Sequence, residues 1–175
     1  MNLGGNLSAR RATVADADLV ARMAIETFVE KFGHLYSTED LTNYLRLAYG
    51  EQAMLETLQN PSNATWLLLD GPEAVGFALI GQATLPHPDI VEGDGEIKRF
   101  YVDPSRTGQG YGKVMMDVVM QDLLKNGPRT LWLGVYSEND GAQRFYQRYG
   151  FTHAGEYEYP VGEARDREFI FKRPA

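Results

Sequence analysis

The sequence has no cysteine, which removes disulfides, zinc–thiolate sites and a cysteine nucleophile together. Its three histidines, His34, His87 and His153, are scattered without ligand spacing, so no metal site is expected. No apolar run approaches the roughly 18 residues of a membrane-spanning helix. The stretch from Met1 to Arg11 holds no apolar block of signal-peptide length. A cytoplasmic protein without a membrane partner is the expectation. Basic charge is in deficit: 17 Lys and Arg against 24 Asp and Glu leave a net charge of −7 and a pI near 5.0, which argues against a nucleic-acid partner. What is present is ordinary globular composition, 43% hydrophobic and 23% charged, with two Trp, ten Tyr and eight Phe to fill a core. A length of 175 residues predicts a single domain spanning 1–175.

The charge is uneven. Asp70, Glu73, Asp89, Glu92, Asp94 and Glu96 fall in a stretch without Lys or Arg, whereas the chain beyond residue 96 is mildly basic. That split suits a cationic ligand at one place and an anionic one at another, or else a solvated acidic loop.

Periodicity orders the elements. A short strand is expected over 7–12. Val20, Met23, Ala24, Thr27 and Phe28 then recur at helical spacing. Ser37 reads as an N-cap with Asp40 in the capping-box place, followed by Leu41, Tyr44, Leu45 and Ala48. A shorter helix over 52–58 stops near Pro61. Strands are expected over 66–69 and 75–84, joined by a turn at Gly71–Pro72, and over 96–102, ended by Asp103–Pro104. A glycine-rich turn at 108–112 opens a helix with Met116, Val119, Met120 and Leu123 on its buried stripe. A strand over 131–135, a helix capped by Asn139 and running to Tyr149, and strands near 152–160 and 166–172 complete an α/β order.

Two segments carry chemistry. In Ser105-Arg106-Thr107-Gly108-Gln109-Gly110-Tyr111-Gly112-Lys113, glycines between a strand and a helix let amide N–H groups converge, and the helix N-terminus adds partial positive charge. That arrangement suits a phosphate or diphosphate; a plain helix-opening turn is the alternative. The dinucleotide fingerprint is ruled out because Lys113 stands where its third glycine belongs. The Walker loop is ruled out because Thr107 and Val114 stand at its required positions. Downstream, Asn139 to Phe151 reads as a capped helix stopped by Gly150. Phe145 and Phe151 are expected in the core. Tyr146 faces elsewhere, either as a proton donor or as a structural tyrosine.

Together, at this spacing, these segments resemble the Gcn5-related N-acetyltransferase (GNAT) superfamily. The family's Gln/Arg-x-x-Gly-x-Gly/Ala loop corresponds to Thr107–Gly112, with Thr107 a departure at the first position. Its Asn-x-x-Ala-x-x-Phe-Tyr-x-x-x-Gly-Phe pattern corresponds to Asn139–Phe151, and Glu96–Val102 is similar to its fourth strand. A narrower resemblance, through 25–32, 37–49 and 131–135, is to bacterial Pai-type polyamine acetyltransferases. The implied fold is a single mixed, largely antiparallel sheet of about seven strands, with helices on both faces and splayed fourth and fifth strands. The implied cosubstrate is acetyl-CoA. Its site would comprise Phe100, Tyr101 and Val102 along the strand, Thr107, Gly108, Gln109, Gly110, Tyr111, Gly112 and Lys113 in the loop, and Asn139 and Arg148. The implied reaction is direct transfer to a primary amine of a small cationic acceptor. Tyr146 would be the acid. Glu96 would be the base, unless it pairs with Lys98 or Arg99. Glu26, Phe28, Glu30 and Phe32 would line the amine site. A homodimer is common in the family. Acetylation of a protein N-terminus or lysine, and a CoA-binding sensor without turnover, are the competing readings.

Overall fold

Wherever consecutive apolar residues form a strand, both faces of the sheet must be covered. The computed structural model shows this, describing residues 6–106 and 108–175 in full and the backbone of residues 2–4. Neighbouring residues divide between two cores. Leu67 and Phe77 pack with one set of helices, and Leu68 and Ala78 with the other. The sheet contains β1 (Asn2–Gly4), β2 (Leu7–Arg11), β3 (Asn63–Asp70), β4 (Glu73–Gln82), β5 (Gly95–Val102), β6 (Leu131–Tyr136), β7 (Thr152–Val161) and β8 (Ala164–Arg173). Their spatial order is β1-β2-β3-β4-β5-β6-β8-β7, antiparallel except where β5 meets β6. This is the mixed, largely antiparallel sheet expected, with the three-residue edge strand β1 as an eighth member.

One face carries α1 (Ala17–Phe32), α2 (Thr38–Tyr49) and α3 (Glu51–Gln59), which bury Val20, Ala24, Phe28, Tyr49 and Met54. The other carries α4 (Tyr111–Leu124) and α5 (Asp140–Gln147), with Met115, Met116, Val119, Leu123 and Tyr146 in its core. α4 ends at Leu124, short of the Gly127–Pro128 stop, and α5 ends at Gln147 rather than Tyr149. Ser37 caps α2 by accepting from the Asp40 N–H. Asp40 Oδ2 takes the Ser37 hydroxyl at 2.8 Å, and its other oxygen takes the Glu163 N–H at 2.9 Å, tying α2 to the β7–β8 turn.

Two irregularities shape the centre of the sheet. Against β4, Ile97 pairs with Ile80 and Arg99 with Leu79, so Lys98 is an extra residue, a β-bulge. The bulge keeps Ile97 and Phe100 on the α4/α5 face and turns Arg99 and Tyr101 toward α1–α3. The parallel pairing of β5 with β6 covers only Gly95↔Leu131, Glu96↔Trp132 and Ile97↔Leu133. Beyond those pairs the strands part, and β6 from Gly134 onward pairs only with β8. The expected splay of the family's fourth and fifth strands is this divergence of β5 and β6.

Candidate active site

A cleft of about 1120 Å³ opens where β5 and β6 diverge, lined by residues of both strands and of α1, α5, β7 and β8. Along one wall run Phe100, Tyr101 and Val102. Their strand pairs with β4 on one side only, so backbone groups on the other side face the cleft. An extended ligand can pair with that free strand edge as a further strand would. Beyond its end, Pro104–Arg106 form a single 3-10 turn, and Gly108 and Gly110 take left-handed φ of 79° and 89°. No atom lies within 4 Å of a Cβ built on either glycine, so both present an open face. The first hydrogen bond of α4 runs from Val114 N–H to Gly110 C=O, leaving the amides of Tyr111, Gly112 and Lys113 ahead of the ladder. An anionic diphosphate fits such a helix start, and an extended thiol arm fits the free edge, so these residues suit acetyl-CoA.

The side chains of this loop do other work. Arg106 donates to Asp70 and Glu73, both at 2.9 Å, and the Tyr111 hydroxyl donates to Asp70 at 2.7 Å; these bonds fasten the bend to the β3–β4 hairpin. Gln109 donates to the Ser105 carbonyl at 2.9 Å, and Lys113 pairs with Asp117. Thr107 lies outside the described residues. Asn139 lines the cleft while its Oδ1 accepts the Ala142 N–H as the cap of α5. Arg148 does not line the cleft; its guanidinium lies 5.7 Å from the Phe145 ring centroid. Phe145, expected in the core, is only partly buried and forms part of the cleft wall.

Tyr146 reaches the cleft from α5 at 8% exposure, packed edge-on against Phe100, Phe145 and Phe151. Its hydroxyl has no hydrogen bond to the described residues. Burial raises its pKa above the ordinary phenol value, so it stays protonated.

Carboxylates also line the cleft. Glu96 is buried, with a side chain only 7% exposed, and its Oε2 accepts three bonds: Thr84 N–H at 2.6 Å, the Thr84 hydroxyl at 3.1 Å and Lys98 Nζ at 3.1 Å. It is thus an ion pair with Lys98, the structural alternative weighed for it. Glu26 is a correction. It is exposed on α1 and does not line the cleft, which that helix meets only through its C-terminal residues from Thr27 to Phe32. Phe28, Glu30 and Phe32 do line it. The Phe28 and Phe32 centroids lie 5.3 Å apart, and Phe32 meets Tyr136 edge-on at 5.6 Å.

Three further charged residues, for which the sequence suggested no substrate role, line the cleft. Glu168 on β8 accepts the Tyr157 hydroxyl at 2.5 Å, and Asp166 accepts the Tyr36 hydroxyl. Burial raises the Glu168 pKa, the Tyr157 bond lowers it and Asp166 raises it; the net direction is up. Arg99 faces Tyr44, Tyr49 and Tyr159, with its guanidinium 4.6 Å from the Tyr49 ring centroid, and no carboxylate among the described residues pairs with it. The signal for the two acids was parity. Asp166, Glu168 and Ile170 alternate on one face of β8, and Ile170 is buried, so both acids stand in an inward register. Among the described residues no group of three or more His, Asp or Glu is arranged to hold a metal. No helix there is long and apolar enough to cross a membrane.

Comparisons agree with this geometry. The profile of the acetyltransferase (GNAT) family matches residues 24–151. The chain is 26% identical over 162 residues to an uncharacterized N-acetyltransferase of the pepI 3′ region of Lactobacillus delbrueckii subsp. lactis, covering 91% of this chain and 94% of that one. It is 24% identical over 147 residues to a spermidine N(1)-acetyltransferase of Thermoplasma acidophilum, covering 83% and 88% of the two chains. The crystal structure of a PaiA N-acetyltransferase from T. acidophilum in complex with coenzyme A superposes with a TM-score of 0.75 at 18% identity, over 97% of this chain and 99% of that one.

Proposed function

The chain belongs to the acetyltransferase (GNAT) family and is an acetyl-CoA-dependent N-acetyltransferase; from that premise we propose that its acceptor is the primary amine of a small cation of the polyamine class. The observation that carries the proposal is the cleft lining. Phe28 and Phe32 offer aromatic faces to the cleft, and Glu30, Asp166 and Glu168 offer it carboxylates that have no ion pair with a basic side chain among the described residues. Ammonium groups spaced along a flexible chain match that sequence of sites. The spermidine acetyltransferase among the relatives supports the same choice.

The chemistry follows from charge. An alkylammonium has a pKa near 10.4 and is no nucleophile, so the enzyme must remove a proton before the nitrogen can attack the thioester carbon. In this reading the β5 edge at Phe100–Val102 holds the pantetheine arm, and the Gly108–Gly110 bend with the start of α4 holds the diphosphate. The Tyr146 hydroxyl supplies a proton to the departing sulfur. Glu96, buried, and Glu168, half-buried, are cleft carboxylates able to take the proton from nitrogen.

Arg99 favours a second reading, an acceptor that carries a carboxylate besides its amine, because a purely cationic chain leaves that guanidinium unpaired. One screen separates the two. CoA release is measured with acetyl-CoA and spermidine, spermine, a set of amino acids with their decarboxylated amines, and basic peptides. Preference for polyamines supports the first reading. Preference for the carboxylated members, lost in Arg99→Met, supports the second. Activity on peptides alone removes both.

A further inference from the structure

We infer that Glu168, rather than Glu96, is the group that takes the proton from the acceptor amine; this rests on the transferase reading above and completes its catalytic set. The argument starts from Gly134, the first residue of β6 beyond the β5–β6 pairing. A Cβ built there would stand 2.8 Å from Glu168 Oε2 and 2.9 Å from the Tyr157 hydroxyl. The missing side chain thus admits the carboxylate to the point where the two strands part, the place a thioester reaches when its arm runs along β5. Glu96 pairs with Trp132, two residues short of that point.

Partners separate the two acids further. Glu96 is tied to a lysine ammonium and a backbone amide through one oxygen, and proton uptake would break an ion pair in a buried wall. Glu168 has no cation partner among the described residues; the Tyr157 hydroxyl is its hydrogen-bond donor. Desolvation without a counter-charge makes a carboxylate a stronger base, and a base is most effective when its pKa approaches the working pH. The charged and titratable groups around it are Asp166 on its own strand, Tyr157 and Tyr159 on β7, Tyr136 on β6, Tyr36 after α1, and Glu96, Lys98 and Arg99 on β5.

The balance is complete without further reagents. Glu168 takes one proton from R–NH3+ and passes it to solvent. The free amine forms the N–C bond to the acetyl carbonyl as the C–S bond breaks. The nitrogen's next proton balances the one the sulfur gains, so amide, CoA thiol and one H+ result.

The test is the pH dependence of kcat/KM for wild type, Glu168→Gln, Glu96→Gln and Tyr157→Phe, with CoA affinity as the check of folding. Glu168→Gln keeps an oxygen to accept the Tyr157 bond. It is expected to lose at least about 100-fold in kcat and the acidic limb of the profile, with CoA affinity within about twofold of wild type. Tyr157→Phe removes a bond that lowers the Glu168 pKa, so the acidic limb moves to higher pH; a purely structural role for Glu168 would leave it in place. Glu96→Gln keeps the limb at its wild-type position whatever its effect on rate. An active wild type whose Glu168→Gln variant retains rate and limb, or a limb abolished by Glu96→Gln instead, overturns the assignment alone. A wild type inactive on every amine overturns the transferase reading and this inference with it.

Discussion

At the scale of single residues, the cleft assigns different work to groups of similar chemistry. Tyr146 and Tyr157 are both phenols with pKa values raised by burial, yet Tyr157 spends its proton on Glu168 while Tyr146 keeps its own facing the cleft. Tyr146→Phe should therefore lower kcat by about 100-fold and leave CoA affinity unchanged. Stopped-flow CoA release with parallel binding isotherms checks both halves, and equal rates in the two proteins would remove the hydroxyl from the reaction. Gly134→Ala is the matching probe across the cleft. Its methyl group would displace the Glu168 carboxylate and the Tyr157 hydroxyl, both side-chain ends. We expect a loss of about 1–2 kcal/mol in stability and about tenfold in kcat/KM, read from chemical denaturation and steady-state rates. A variant less stable but equally active would show that the carboxylate need not stand at the splay. Parity along β8 pointed Glu168 inward, but its meeting with Gly134 was not legible in the chain. Glycine 134 reads as one more small residue in Leu131–Val135. Its meaning appears only when β8 pairs with β6 in the register Gly134↔Ile170 and lays Glu168 over it.

Elements whose causes are local were readable, and those set by distant pairing were not. The helix cap at Ser37, the left-handed glycines opening α4 and the Asn139 cap each arise from contacts within a few residues, so spacing alone identified them. The bulge at Lys98 depends on Leu79 and Ile80 of β4, on the far side of the 83–94 loop, and decides whether Arg99 faces the tyrosines or α5. The Glu96–Lys98 pair, two residues apart, was one of the alternatives open in the sequence; the Thr84 bonds that complete it arise only once Thr84 is brought beside β5. Glu26 and Glu30 share an exposed face of α1, and only Glu30 lines the cleft, because the cleft meets the helix at its C-terminal end, which depends on where β6 and β8 lie. The α4 start yields its own prediction. Gly110 holds φ at 89° with open space where a Cβ would be, so Gly110→Ala should cost about 1–2 kcal/mol of stability through backbone strain. It should weaken CoA binding more than it changes the KM for amine. Isothermal titration with CoA separates the two effects, and unaltered affinity would mean that the diphosphate does not rest on this bend.

For the molecule as a whole, stability and activity are drawn from opposite treatments of buried charge. Asp122 on α4 joins the helix to the sheet. It accepts from Trp66 Nε1 at 2.8 Å, from Lys125 at 2.8 Å and from Arg11. Burial opposes its charge, but the donors outweigh burial and hold its pKa below the ordinary carboxylate value. A depressed acid stabilises the fold above its unfolded pKa, and that contribution is lost as pH falls through the folded value. Glu168 is the reverse. Burial outweighs its tyrosine bond, its folded pKa lies above the unfolded one, and ionisation in the folded state therefore costs stability once pH has risen through both values. Removing each charge should thus shift the melting temperature in opposite directions at neutral pH. Asp122→Asn should lower it. Glu168→Gln should raise it by about 2–4 °C, the response of a chain of this size to about 1 kcal/mol. Both differences should shrink as the pH is lowered toward 4, because wild type then loses the Asp122 contribution and sheds the Glu168 penalty. Calorimetric scans of the three proteins between pH 4 and pH 8 measure this. A Glu168→Gln variant less stable than wild type at every pH would mark that carboxylate as part of the scaffold. A variant that gains stability while losing its rate would show the cleft holding an ionised acid that the fold alone disfavours, which is what a base poised for an ammonium requires.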